Sequence, residues 1–254
     1  MSDLIYKKNR KRYLLLILPA FILYTFTLVI PLLGGTFPNA LTNWNLMKGT
    51  KQFVGLDNYI HLLQDKNFQQ AIVFTLILGI VTIIFTNVLA FIPSFFLVKK
   101  IFGGSISRAM FFLPNIISGV MVSYVWYFIF TRAIPDVGKM LSNHFLSNIS
   151  WFGTPGWAFA ATAIVSVWQG TGFLMILYIA GLQTIPKDVL EAAKLDGCVG
   201  IKKIAYIELP LLMTTVTINL FVSIANCFKA FDIPFALTGG GPGGSTQTNC
   251  TGYI

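Results

Sequence analysis

Five apolar stretches, each long enough to cross a bilayer as a helix, leave this chain few other ways to fold. The hydrocarbon core takes about 20 apolar residues in helical form. The stretches run from about Tyr13 to Leu33, Phe68 to Val98, Ala109 to Thr131, Trp157 to Ala180 and Ala205 to Ile233. A membrane barrel would show alternating segments of about ten residues, whereas these runs are longer and continuously apolar. The first follows Lys7, Lys8, Arg10, Lys11 and Arg12, as a signal peptide would. It is longer than a signal's apolar region, and Leu33 to Pro38 makes a poor cleavage site. It therefore reads as an uncleaved span. The fold expected is an all-α polytopic membrane protein. It has a cytoplasmic basic tail at 1–12, a first span with an external loop at 13–67, and a core at 68–254 carrying a cytoplasmic segment at 181–210.

Charge supports lipid as the solvent. Only 11% of the 254 residues are charged, against about 25% in soluble domains. The net charge of +9 is not a nucleic-acid footprint, because the cations fall in short clusters between the apolar runs. Twelve Lys and Arg lie on one side of the proposed topology, including Lys99, Lys100, Arg108, Lys187, Lys194, Lys202 and Lys203. Five lie on the other: Lys48, Lys51, Lys66, Arg132 and Lys139. The basic side is expected in the cytoplasm, with the N-terminus on it and the glycine-rich tail after Pro234 outside. Cys198, Cys227, Cys250, His61 and His144 have no metal-ligand spacing, so no metal site is expected.

Some polar residues are out of place in a plain lipid anchor. Thr215, Asn219, Ser223 and Asn226 recur every three or four residues, which puts them on one helical face that Lys229 continues. A polar stripe in lipid faces protein or water. It either lines a path for a polar solute or joins helices by hydrogen bonds. Gln169, Gly170, Thr171 and Gly172 break the fourth span, with the same two readings. Asn87 and Pro93 interrupt the second. Asn115 follows Pro114 at a cap or bend in the third. Lys229 and Asp232 are spaced to pair at i and i+3.

The segment Gly181–Pro210 carries the sharpest local pattern. Pro186 suits a helix start, and Val189 to Leu195 reads as a helix enriched by Ala192 and Ala193. Glu191 and Lys194 are spaced to pair. Asp196–Gly197 signals a stop, a second short helix leads into the fifth span, and Pro210 marks a kink. A short helix held parallel to the membrane, between two spans, suits a docking element.

These residues resemble the EAA motif of binding-protein-dependent ABC importer permeases: Glu191-Ala192-Ala193, Asp196-Gly197-Cys198, then Ile204 and Ile207-Glu208-Leu209-Pro210. Cys198 and Ile204 stand where alanine and phenylalanine are usual. Phe53 to Tyr59, Leu182 to Pro186 and Thr238 to Pro242 are similar to the carbohydrate branch of the family. The resemblance implies a type I importer transmembrane domain and uptake of a sugar, an oligosaccharide or a glycerol-phosphate-like compound. It implies as partners a second permease, two cytoplasmic ATPase subunits and an extracytoplasmic solute-binding protein. Glu191, Ala192, Ala193, Asp196 and Gly197 would couple to the ATPases. Gln169, Asn219, Ser223 and Asn226 would line the solute path. The chain has no Gly-rich phosphate loop, so neither a catalytic residue nor a cofactor is expected in it. The family's usual sixth span has no counterpart here, which reads as a truncated or incomplete permease. The competing class is a non-transporting membrane scaffold or a channel subunit.

Overall fold

The computed structural model describes residues 15–45, 50–98 and 103–248. The basic cluster Lys7 to Arg12, Lys48, Lys99, Lys100 and Cys250 lie outside the described residues. The chain divides into two compact units, 1–66 and 67–254. In the first, helix α1 (Leu15–Ala40) is long and apolar enough to span. It runs past the expected end at Leu33, because Gly34 and Gly35 fall in a π turn (Leu32–Thr36) that keeps the helix going. The expected polar loop is instead partly built. Strands β1 (Thr42–Asn45) and β2 (Thr50–Phe53) pair antiparallel with Thr42 opposite Phe53, and helix α2 (Asp57–Gln64) follows. The Asn58 amide donates to the carbonyls of Ala40 at 2.9 Å and Thr42 at 3.2 Å, tying α2 to the hairpin.

The second unit is built around α7 (Pro155–Gln183), which follows the short helix α6 (His144–Asn148). Helix α3 (Lys66–Leu97) runs unbroken through both Asn87 and Pro93. Asn87 does not interrupt it because its amide donates back to the Ile83 carbonyl at 2.8 Å. Ala90 of α3 packs against Leu174, Met175, Tyr178 and Ile179 of α7, and Phe74 and Leu78 pack against Ala163. On another side, Ala161 and Val165 of α7 meet Val122 and Phe130 of α5 (Gly119–Met140) and Leu237 of α11 (Asp232–Thr238). Leu182 and Ile185 meet Leu212 below. A lipid-exposed surface gains nothing from burying leucine, so helices in membranes associate through close packing and hydrogen bonds. Gly172 supplies such packing. A β-carbon there would lie 1.8 Å from the carbonyl oxygen of Phe111 in α4 (Gly104–Ile116).

The expected third span is two helices, not one. Helices α4 and α5 meet at a 99° bend, with Ile117 and Ser118 extended between them (ψ 139° and 137°). Pro114 lacks an N–H and already weakens the last turns of α4. Broken backbone is tolerated at membrane depth only where other groups satisfy it or a cavity adjoins it. Both conditions hold, as described below. The fifth span is also bent. After α8 (Lys187–Leu195), helix α9 (Ile201–Leu211) meets α10 (Met213–Phe228) at 72°. The bend falls at Leu212, two residues beyond Pro210, whose missing N–H weakens the last turn of α9. Helix α10 stops at Phe228, so Lys229 caps it and Asp232 begins a separate helix. Lys229 and Asp232 therefore do not form the expected pair: no ion pair joins them among the described residues.

Candidate functional site

A polar cavity of about 400 Å3 opens among α3, the α4–α5 break, α7, α10 and α11. Each helix contributes groups suited to a hydroxylated solute. Helix α3 brings Thr75, Thr82 and Thr86, the break brings Asn115, α7 brings Ser166 and Gln169, and α10 brings Ser223 and Asn226. Phe173 and Phe231 supply apolar surface. Mostly apolar walls with a few placed polar groups are the usual make-up of small-molecule sites. Gln169 also explains the break. Its Nε2 donates to the Ile117 carbonyl at 2.9 Å, satisfying an acceptor freed where α4 ends.

The four polar residues of the fifth-span face are thus divided. Ser223 and Asn226 line the cavity. Asn219 is fully buried against α7, where its amide donates to the Leu174 carbonyl at 3.3 Å. Thr215 packs at Gly181 of α7. A hydrogen-bonded chain links the levels. The Tyr178 hydroxyl donates to Asn87 Oδ1 at 2.9 Å, Asn87 Nδ2 donates to Ser223 Oγ at 3.1 Å, and Ser223 donates to the Asn219 carbonyl at 2.7 Å. One helical face therefore joins helices at one level and meets the cavity at the next.

The second candidate element is the α8 segment. Helix α8 ends in a Schellman motif. The Gly197 N–H donates to the Lys194 carbonyl at 3.2 Å and the Cys198 N–H to the Ala193 carbonyl at 2.8 Å. Gly197 takes φ +72°, which a residue without Cβ adopts freely. Asp196 is the cap residue before it. Glu191 and Ala192 are exposed, whereas Ala193 is 4% exposed and faces the protein's own interior. The two alanines are about 100° apart on the helix, and of the two only Ala192 is open at the surface of this chain. The expected Glu191–Lys194 pair is absent among the described ion pairs. Lys203 instead holds the buried Glu208 carboxylate at 2.8 Å, one turn further along α9.

The model of one protein family, the binding-protein-dependent transport system inner membrane component, matches residues 84–251. The chain is 34% identical, over 94% of its length and 81% of the relative's, to the probable starch degradation products transport system permease protein AmyD of Thermoanaerobacterium thermosulfurigenes. It is 38% identical, over 86% of its length and 74% of the relative's, to the multiple sugar-binding transport system permease protein MsmF of Streptococcus mutans. The chain belongs to this family. Its fold is that of a bacterial ABC transporter involved in the import of the acidic polysaccharide alginate, with a TM-score of 0.78 at 22% identity over 96% of this chain and 83% of that one. The permease is thus a multi-pass inner-membrane protein.

Sequence reasoning missed part of the permease's α8 surface. Leu195 is 90% exposed and Ile201 84% exposed, with Val199 and Tyr206 also open. These apolar side chains flank Glu191 and Ala192 on the segment between α7 and α10. The signal was present in the spacing of Leu190 and Ala193, three residues apart on one face. Leu190 packs on the Leu182–Ile185–Leu212 cluster. That anchors one face of α8 inward and turns Leu195 outward. The cavity lining from Thr75, Thr82 and Thr86 was also missed, because hydroxyls bonded to their own helix barely disturb an apolar run.

Proposed function

We propose that this permease conducts a sugar or oligosaccharide as one subunit of an ATP-driven importer. The observation that carries the reading is the polar cavity at the broken third span, where Gln169, Ser223 and Asn226 converge from two helices. Relatives that transport starch degradation products and multiple sugars support the solute class. In this reading the N-terminus and α8 face the cytoplasm. A second permease completes the path, two ATPase subunits dock on α8, and a solute-binding protein delivers the solute from outside. Glu191, Ala192, Asp196 and the exposed Leu195 form the docking face. Gly197 ends the helix so that the chain can turn, and Ala193 seats the helix on its own spans. ATPase closure pushes α8, and the push passes to α7 and α10, between which α8 is connected. The spans then expose the cavity to alternate sides. A scaffold without transport would gain nothing from this cavity, and a channel would have no use for α8 as an external contact.

Alanine at Gln169 and Asn226 tests the proposal in the reconstituted importer. Solute uptake is expected to fall at least tenfold while the complex assembles and its ATPase binds normally. Unchanged uptake and selectivity would overturn it.

A further inference from the structure

We propose that Ser223 meets the solute as a hydrogen-bond acceptor only, and that Asn87, which does not itself line the cavity, is the positioning residue that imposes this polarity. The place beside Ser223 then takes a hydroxyl that donates and penalises a group that only accepts. The proposal rests on the cavity being the solute site. Asn87 is held at both ends of its amide. Its Nδ2 donates to the Ile83 carbonyl at 2.8 Å, and its Oδ1 accepts from the Tyr178 hydroxyl at 2.9 Å. Turning the amide over would set Oδ1 against the Ile83 carbonyl oxygen, two acceptors with no proton between them. The nitrogen therefore stays on that side and also donates to Ser223 Oγ of α10 at 3.1 Å.

An amide nitrogen only donates, so the Ser223 proton cannot point back at it. That proton goes to the Asn219 carbonyl at 2.7 Å. A hydroxyl has one proton and two lone pairs. With the proton on Asn219 and one lone pair taken by Asn87, Ser223 has one lone pair left for the cavity it borders. The cavity hydroxyls of Thr82 and Thr86 also donate to carbonyls one turn back. Among the described residues no group donates into either, so each proton can swing toward a solute. Ser223 is 8% exposed, so a solute atom beside it has little water to turn to instead. An acceptor left facing another acceptor there loses its partner and keeps the cost of leaving water. A site built to bond a hydroxyl discriminates against the analogue that lacks the matching proton.

Glucose, maltose and trehalose test the proposal, each with its monodeoxy and monodeoxyfluoro analogues, by equilibrium titration of the assembled importer in nanodiscs without the solute-binding protein. Fluorine fills nearly the space of a hydroxyl and cannot donate. For wild type, at one hydroxyl position the parent sugar binds about tenfold or more tighter than both analogues, and fluorine is no better than hydrogen. Ser223→Ala removes the acceptor, so the parent's advantage at that position falls to within about threefold. Asn87→Leu frees the Ser223 proton to turn toward fluorine, so the fluoro analogue gains about threefold or more on the deoxy one there. Tyr178→Phe breaks the same chain but leaves the Ile83 carbonyl to orient the Asn87 amide, so it keeps the wild-type ratios; a merely structural network would respond alike to both losses. Because ratios at one position are read, a general loss of affinity cancels. A fluoro analogue that beats the deoxy one at every position in wild type, ratios unmoved by Ser223→Ala or by Asn87→Leu, or the same change in Tyr178→Phe as in Asn87→Leu, overturns the proposal while leaving the cavity as the solute site. Failure of every sugar to bind wild type would overturn the proposed solute site itself.

Discussion

Replacing Gly172 with alanine separates two glycines that look alike in sequence. A β-carbon at Gly172 would stand 1.8 Å from the Phe111 carbonyl oxygen, 2.5 Å from its carbon and 3.0 Å from Phe112 Cα. All three are backbone atoms, so no rotamer change relieves the contact. To restore a separation of about 3.0 Å from the oxygen, α4 and α7 must part by roughly 1.2 Å. Helix α4 leads directly to Ile117, whose carbonyl accepts the Gln169 amide at 2.9 Å. A shift of that size carries the contact to about 4 Å, beyond hydrogen-bonding distance. Overpacking costs about 1–3 kcal/mol, and the lost bond adds about 1 kcal/mol. At about 2–4 °C per kcal/mol for a chain of this size, the midpoint of thermal unfolding falls by several degrees. Uptake falls with it, because Gln169 and the break both border the cavity. Gly170→Ala is the control. Its β-carbon would meet only the Thr86 Cγ2 methyl at 3.3 Å, and a side chain can yield, so stability stays within about 0.5 kcal/mol. The measurement is thermal unfolding in nanodiscs alongside uptake in proteoliposomes. A Gly172→Ala protein as stable as wild type, or Gly170→Ala as the worse of the two, would refute the packing argument.

Two further outcomes follow from the same structure. In a double-mutant cycle, Tyr178→Phe and Asn87→Leu should couple by about 0.6 kcal/mol, and by no more than about 1.7 kcal/mol, through the bond between the two side chains; additive losses would show that the polar chain does not act as a unit. Gly197→Ala forces a β-carbon into φ +72° and should cost about 1–2 kcal/mol, reducing solute-stimulated ATPase activity while leaving solute binding in place; full stimulation would show that the α8 terminus is not needed for coupling.

The spans that were legible in sequence are those whose helices need nothing from elsewhere. The second and fourth stretches became α3 and α7 within a few residues of their expected ends. The third and fifth were bent, and hydropathy is blind to a bend whose freed backbone is satisfied at a distance. The group that satisfies the α4–α5 break, Gln169, lies 52 residues further along the chain. Asn219 and Asn226 share a face by spacing, yet only packing against Leu174 distinguishes a helix-joining amide from a cavity-lining one. Ala192 and Ala193 are alike in size and propensity, so the direction each faces depended on where Leu190 anchors α8. Asn87 read as an interruption because its local hydrogen bond to Ile83 leaves no trace in composition.

Site-directed crosslinking of α8 tests the central claim most directly. In the assembled importer, cysteine at exposed Ala192 or Leu195 should crosslink to the ATPase subunit, with a yield that changes when ATP binds. Cysteine at buried Ala193 should give no such product. An ATPase crosslink from position 193 with none from 192 or 195, or an active complex in which neither exposed position reaches the ATPase, would contradict the account.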